Sequence, residues 1–520
     1  MRIFTIAFIF WVCVAQVGAQ VVFQKIYEPM KNSEAWYVNQ TTDGGFIMTG
    51  TTQVPNGDEN VYVLKTAFDG TLQWTKIFGD LPYNDWGNSI QQTSDKGFII
   101  CGWTNSFGAL RTDIYFIKID SSGNLQWSKT VGGGDFDYGL SVCQTSDGGY
   151  IAAGKSCSFG DPTGDMYLVK LDSYGNLRWT RTFGGPREDG ANSVQETFDK
   201  GFIIAGYTYS FNDPDNGNEN VMVVKTDSQG TLQWAQRYGD SGKDVAYAIR
   251  QVSDSGYIIC GMSGSCADIN GDMYLLKTQS NGNLQWGYSY GGPKEDKAFM
   301  VQQTRDGGFF MAGYSEQDSS DYDVYAVKTF SNGHLEWSKR YGGTMYDLAF
   351  GGAQTSDGGF VLAGMTDEFG IGVDDVYLVK TDSNGNSRCH EYDVPTTVGS
   401  GVSWDNVNAQ EGWGGVENTV TTQLWSAGNE ITLCTNVGIG EPDTARGLIL
   451  SPNPSHGLFT LSGLTGTSEI KIYNSLGEKV FSGKIFSSGT RVDLSDKPRG
   501  IYFVQVMSEK ESSTQKMIIE

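Results

Sequence analysis

Histidine is nearly missing from this chain. Only His334, His390 and His456 occur, and they form no cluster that would serve a metal or a catalytic triad. Cysteine is scarce too: eight occur, Cys13 lies in the N-terminal apolar run, and the seven that remain are too sparse for a disulfide scaffold. Candidate pairings are Cys260 with Cys266, Cys143 with Cys157, and Cys389 with Cys434, none with metal-site spacing. Basic residues are outnumbered, 37 Lys and Arg against 60 Asp and Glu, for a net charge of -23. That balance excludes nucleic acid and anionic membrane surfaces as partners. Beyond the N-terminal run no segment is long and apolar enough to span a membrane, and no helical periodicity runs through the chain.

What is present is repetition. A unit of about 52 residues recurs seven times between Val22 and Cys389. Each copy carries a turn of the form Asp-x-Gly-aromatic, from Asp43–Phe46 and Asp95–Phe98 through to Asp357–Phe360. An apolar run ending in Gly follows, then a loop, a second apolar run ending in Lys, and a segment with Gly four positions before Trp, as in Gly123–Trp127. In the copy Asp137–Gly185 these pieces read as four short strands bounded by turn residues, an antiparallel meander. A small sheet with two faces to bury is satisfied by stacking around an axis, so the chain reads as all-β, a seven-bladed β-propeller.

The recurrent residues read as architecture. The Gly148-Gly149 pair and its equivalents sit where a hairpin needs positive φ, and the preceding Asp caps the turn. The second recurrent acid, at Asp113, Asp165, Asp272, Asp323 and Asp375, reads as structural because a catalytic residue would not repeat. Trp74, Trp127, Trp179, Trp234, Trp286 and Trp337 are expected to wedge between sheets, with truncation to Ala costing about 3–5 kcal/mol. Phe23 falls in the Trp position of a segment, Val22–Tyr27, that is expected to donate the closing strand of the last blade, where Cys389 replaces Trp.

The two ends depart from the repeat. Residues 1–19 have a basic start, an apolar run and small residues at the cleavage position, and read as a signal peptide. Residues 390–446 read as an extended connector with some strand content. From 447 to 520 short strands alternate with Gly, Pro and Ser turns, a small Ig-like β-sandwich.

The blades, through Asp120-Ser-Ser-Gly123-Asn-Leu-Gln-Trp127, resemble the Trp-containing repeats of secreted bacterial β-propellers and are similar to the tryptophan-docking motif of quinoprotein propellers. The cofactor and calcium ligands of the quinoprotein enzymes are not identifiable, so no activity is carried over. The C-terminal pieces Ser451–Gly457, Ile472–Val480, Pro498–Val506 and Lys516–Ile519 resemble the type A C-terminal sorting domain of the Bacteroidota type IX secretion system. That resemblance implies the type IX machinery as partner, passage across the outer membrane, and release or attachment at the cell surface.

The chain therefore reads as a secreted or cell-surface noncatalytic binding protein for extracellular protein or glycan, with no cofactor. An extracellular polysaccharide hydrolase or lyase is the alternative, to be marked by two carboxylates, or an Arg with a Tyr or His, facing the pore in one or two blades only. Weak calcium candidates are Asp213, Asp215 and Asn218 in one loop and Asp268, Asn270 and Asp272 in another. The loops between second and third strands vary most, and their Phe107, Phe159, Phe211 and Phe369 are expected to be exposed anchors for a partner.

Overall fold

In the computed structural model the described residues are 20–520 except 29, 81, 108–110, 212–216, 266–269, 319–320, 370–373, 402, 408, 413, 420–422, 426–428, 438–448, 452–457, 463–467, 475–478, 486–489, 508–511 and 520. The signal-peptide reading at 1–19 lies outside them. The chain forms two compact units, Val21–Asn436 and one within Val437–Glu520.

The first unit holds seven antiparallel sheets. Blade three shows why the sequence folds so. Its strands are Asp137–Gln144, Tyr150–Ser156, Asp165–Leu171 and Leu177–Gly184. The third is buried along its whole length, as an apolar strand between two packed faces must be. At the hairpin, Asp147 accepts the Gly149 N–H at 2.9 Å, and the buried Lys170 reaches back to Asp147 at 3.0 Å. The same ion pair recurs in all seven blades: Lys65–Asp43, Lys118–Asp95, Lys170–Asp147, Lys225–Asp199, Lys277–Asp254, Lys328–Asp306 and Lys380–Asp357.

Neighbouring blades meet through the recurrent aromatics. Trp127 packs edge-on against Tyr150 of the next blade with centroids 5.8 Å apart, as Trp74 does on Phe98 and Trp337 on Phe360, while Trp179 meets Phe202, Trp234 Tyr257 and Trp286 Phe309 at a tilt. The positive-φ glycine of the next blade's Gly-x-x-x-Trp turn lies on the indole, since a Cβ on Gly175 would stand 2.9 Å from the Trp127 ring. Ring and glycine recur together because each leaves room for the other.

Val21–Glu28 is the fourth strand of the blade made by Asp347–Gln354, Phe360–Thr366 and Asp375–Thr381, with Phe23 opposite Lys380. Phe23 meets Phe46 of the first blade at 6.2 Å, as each tryptophan meets its neighbour. A circle of hydrogen bonds closes the ring. The last residue of every inner strand accepts a backbone N–H from the preceding blade's turn: Ser356 to Gln40, Thr42 to Gln92, Ser94 to Gln144, Ser146 to Glu196, Phe198 to Gln251, Ser253 to Gln303 and Arg305 to Gln354.

The segment read as a connector is not a spacer. It runs once around the ring against the chain direction and adds a fifth strand to every sheet. Glu391–Asp393 pairs with blade six, Thr397–Ser400 with five, Trp404–Asn406 with four, Gln410–Gly412 with three, Val416–Thr419 with two, Gln423–Trp425 with one, and Asn429–Val437 with seven. The exposed outer edge of each four-stranded blade supplies the reason, because unpaired backbone groups there are satisfied by a passing strand. Arg237–Asp405 and Lys339–Asp393, each 2.6 Å, pin this belt. Cys389 and Cys434 form a disulfide that joins its start to its end. Cys143, Cys157 and Cys260 are free thiols, so Cys143 does not pair with Cys157; Cys266, the expected partner of Cys260, lies outside the described residues. Cys260 faces the Ala298 carbonyl across a blade joint.

The second unit is a sandwich of a three-stranded sheet, Ile449–Ser451, Leu458–Ser462 and Thr490–Asp493, and a four-stranded sheet, Lys479–Ile485, Ser468–Asn474, Gly500–Met507 and Ser512–Ile519. Phe459, Leu461 and Val492 from one sheet pack with Ile470, Val504 and Met517 from the other.

Candidate binding site in the central cavity

The inner strands of the seven blades surround a cavity of about 850 Å³. Each inner strand carries a β-bulge, and its extra residue lines the cavity: Asn88, Leu140, Asn192, Tyr247, Phe299 and Phe350, with Trp36 in blade one. At this position the repeat stops repeating.

One end of the cavity is aromatic. Trp103 stacks on Trp86 at 5.0 Å, Trp86 on Trp36 at 5.9 Å, and Trp36 lies 4.3 Å from Phe350. Phe350 meets Phe299 at 5.3 Å, and Phe299 meets Tyr247 at 4.6 Å. Tyr138 continues the row beyond Trp103 at 5.7 Å. Six blades thus contribute to one unbroken arc. Trp86 pairs with Trp103 across the first two strands of its blade, which puts the arc on the rim where the second-to-third-strand loops emerge.

The deeper part is polar. Arg250 of blade five reaches across the axis to blade one, donating to the Tyr37 hydroxyl at 3.1 Å, and also donates to Ser193 Oγ at 3.1 Å and to the Ile249 carbonyl at 2.7 Å. Beyond lie Gln91, Gln195 and Gln302, and from the inter-blade circle, whose blade-four member is Glu196, the glutamines Gln40, Gln251, Gln303 and Gln354. Among the described lining residues none is Asp, Glu, Lys or His.

Acids occupy the rim. Trp86 Nε1 donates to Glu59 at 2.6 Å. Burial, reinforced by Asp374 and Glu59, pushes the Glu34 carboxyl up to about 7. Other rim acids have cationic partners: Glu188 with Lys155, Glu219 with Lys243, Glu295 with Lys297 and Glu316 with Lys294.

The sequence-derived candidates fall elsewhere. Phe107, Phe159, Phe211 and Phe369 are partly buried. Phe107 packs on Tyr115 at 5.7 Å, Phe159 on Tyr167 at 5.7 Å and Phe369 on His390 at 4.9 Å, while Phe211 joins the joint between blades three and four. They anchor loops to the ring, not partners to loops. Of the calcium candidates, Asp213, Asp215 and Asp268 lie outside the described residues. Asn218 donates to the Ser241 carbonyl at 2.6 Å, Asn270 to the Pro293 carbonyl at 3.0 Å, and Asp272 is buried at a strand start. Among the described residues no three His, Cys, Asp or Glu side chains gather as metal ligands.

The second recurrent acids meet partners from the following blade. A Cβ on Gly184 would collide with Asp165 Oδ1 and stand 2.7 Å from Asp189 Oδ2, and one on Gly342 would crowd Asp323 and Asp347 likewise. At two joints the first acid is replaced by Asn60 or Asn220. With its amide nitrogen turned toward Asp85, Asn60 donates to that carboxylate at 3.2 Å. At the other joints an Asp stands in this place, and burial raises Asp165, Asp323 and Asp347 to about 7.

Residues 450–520 match the family of secretion system C-terminal sorting domains. The regulatory protein FlaEY of Caulobacter vibrioides is 25% identical over 203 residues, 34% of this chain and 21% of that protein, so this chain spans about a fifth of its relative. Among solved structures, a protein of unknown function from Dyadobacter fermentans is 9% identical, with 70% of this chain and 98% of that one covered and a TM-score of 0.38. PorZ, a surface component of the type IX secretion system of Porphyromonas gingivalis, is 8% identical, with 95% and 100% covered and a TM-score of 0.26. Likenesses this weak leave the fold to stand on its own strand pairing. The class that fold and sorting domain define is an all-β repeat protein of the propeller type. It carries a type IX sorting domain that sends it to the cell surface or the extracellular space.

Proposed function

We propose that the ring is a noncatalytic extracellular binding module and that its ligand is a glycan held in the central cavity. The observation that carries this reading is the aromatic arc from Tyr138 through Trp86 and Trp36 to Tyr247, at one end of a cavity that side-chain amides such as Asn88, Asn192, Gln91 and Gln195 line together with Arg250 and some aliphatic residues. Flat aromatic faces take the apolar face of a pyranose, and amides donate to and accept from its hydroxyls. A peptide is less suited, because the free edge of an inner strand is met by side chains of the neighbouring blade, as where the Val142 and Gln144 N–H groups donate to Ser89 and Gln91.

Titration of the full chain with oligosaccharides of differing composition tests the reading. Saturable binding without turnover is expected. Trp36→Ala and Trp86→Ala should each weaken it by roughly tenfold, the value of one lost stacking partner. Binding unchanged in both variants contradicts the proposal.

A polysaccharide hydrolase or lyase is favoured by one specific feature, the Arg250–Tyr37 pair, which occurs in no other pair of blades, with Glu34 near neutrality on the rim. Against it stands that no carboxylate is among the described lining residues to serve as base or nucleophile beside that pair. Polysaccharide cleavage abolished by Tyr37→Phe or Glu34→Gln would replace the binding reading with the catalytic one.

A further inference from the structure

Arg250 is out of keeping with its surroundings. The equivalent residues of the other blades are Asn39, Gln91, Cys143, Gln195, Gln302 and Ala353, so the repeat supplies no structural reason for a cation. The protein carries a net charge of -23, yet at the centre of its ring it keeps a guanidinium, and the described residues that line the cavity with it include no carboxylate. The hydrogen bonds of that guanidinium go to Tyr37, Ser193 and the Ile249 carbonyl, all neutral. A guanidinium presents five N–H donors and matches a carboxylate in a two-point fork. Left without an anion in a partly enclosed site it bears a desolvation cost that a bound anion would relieve.

We infer that the cavity selects an acidic saccharide, a uronic acid or comparable carboxylate-bearing sugar. Its ring lies on the Trp36–Trp86 face, and its carboxylate sits against Arg250, Tyr37 and Ser193. This rests on the reading of the cavity as a glycan site. The rim does not oppose such a ligand as strongly as its acid count implies. Glu188, Glu219, Glu295 and Glu316 are each paired with a lysine, and neither they nor Glu34 and Glu59 line the cavity. Arg305, which also lines it, donates to the Ser356 carbonyl at 2.8 Å and is exposed, so it belongs to the glutamine end.

The test is calorimetric titration of the full chain with a uronic-acid oligosaccharide and with the same oligosaccharide after reduction of its carboxyl groups to alcohols. The acidic form should bind at least about tenfold tighter, a charge-assisted fork against a neutral contact, and added salt should narrow the gap. Arg250→Gln should remove the preference, so that the two forms bind alike, and Arg250→Lys should keep part of it. Unchanged melting curves certify that both variants fold. Equal affinity for the two forms overturns the inference and leaves the glycan reading standing, as does an Arg250→Gln variant that retains the preference. Tighter binding of a glucosamine oligomer overturns it in favour of a cationic sugar. Preference for an acidic peptide, or no saccharide binding at all, removes the glycan reading as well.

Discussion

In each hairpin turn two adjacent positions obey different constraints. The first adopts positive φ: Gly44, Gly148, Gly307 and Gly358 in four blades, but Lys96 at 66°, Lys200 at 68° and Ser255 at 68° in the others. The second is always glycine, and its reason is space, since a Cβ on Gly149 would overlap the Leu171 carbonyl and crowd Lys170. The pair was legible in the sequence as a positive-φ turn, but only the first glycine answers to φ. Replacing Lys96 or Lys200 by Gly should therefore stabilise the ring by about 0.5–1 kcal/mol through relief of left-handed strain. Gly149→Ala should destabilise it by more than that, both read from denaturation midpoints. Among the tryptophans, Trp127→Ala should cost about 3 kcal/mol, since the ring is partly exposed and the site next to Gly175 can partly collapse.

Two families of aspartate act in opposite directions as pH changes. In the turns, burial works against ionisation, but hydrogen bonds from Thr145 and Gly149 and the Lys170 ion pair hold Asp147 down to about 2. Such groups contribute stability above their unfolded value of 3.8, and it is lost as pH falls toward 2. At the blade joints, burial raises Asp165, Asp323 and Asp347 to about 7. The folded state then holds protons that the unfolded chain has released, so their contribution is complete below 3.8 and is lost as pH rises through about 7. Melting temperature should peak near pH 4 and decline as pH rises to about 7. Asp165→Asn, which copies the natural Asn60 and Asn220 joints, should flatten that decline; a steeper one would contradict the account of the joint.

At the scale of elements, some strands announced themselves and others did not. The blade strands were readable because partners lie about ten residues apart and the pattern recurs. The donated strand was readable because Phe23 keeps the tryptophan's place. The belt was read only as a connector because its strands are three or four residues long in most blades and pair with partners up to several hundred residues away, so neither alternation nor a local turn marks them. The cavity was illegible for a related reason: its residues are those that break the repeat. Three tryptophans outside the Gly-x-x-x-Trp position, Trp36, Trp86 and Trp103, were the available signal, and Arg250 among amides was another.

The belt's circuit makes its disulfide consequential. Cys389 and Cys434 close a loop with a sequence separation of 45, worth about 4 kcal/mol on the chain-entropy relation. Cys389→Ser should lower the ring's melting temperature and should first expose the belt to proteolysis, starting near Asn429–Val437. Deleting Val22–Tyr27 should act more severely, because it removes the fourth strand of blade seven and the Phe23–Phe46 joint together. Equal protease resistance of that truncation would contradict the closure.

For the whole molecule, the division into ring and sandwich separates two tasks. The sandwich is the sorting domain, and removal of residues 447–520 should leave the protein inside the outer membrane with its belt and disulfide intact. The ring performs the task outside the cell, and there the decisive question is whether its aromatic-lined cavity binds sugars without altering them. The most direct measurement is a titration of the full chain with an oligosaccharide ligand, with the recovered sugar then examined for cleavage. Saturable binding, weakened by Trp86→Ala at unchanged melting temperature, with the sugar recovered intact, is the predicted result. Sugar recovered as shorter or unsaturated fragments, with cleavage lost in Tyr37→Phe or Glu34→Gln, would contradict it.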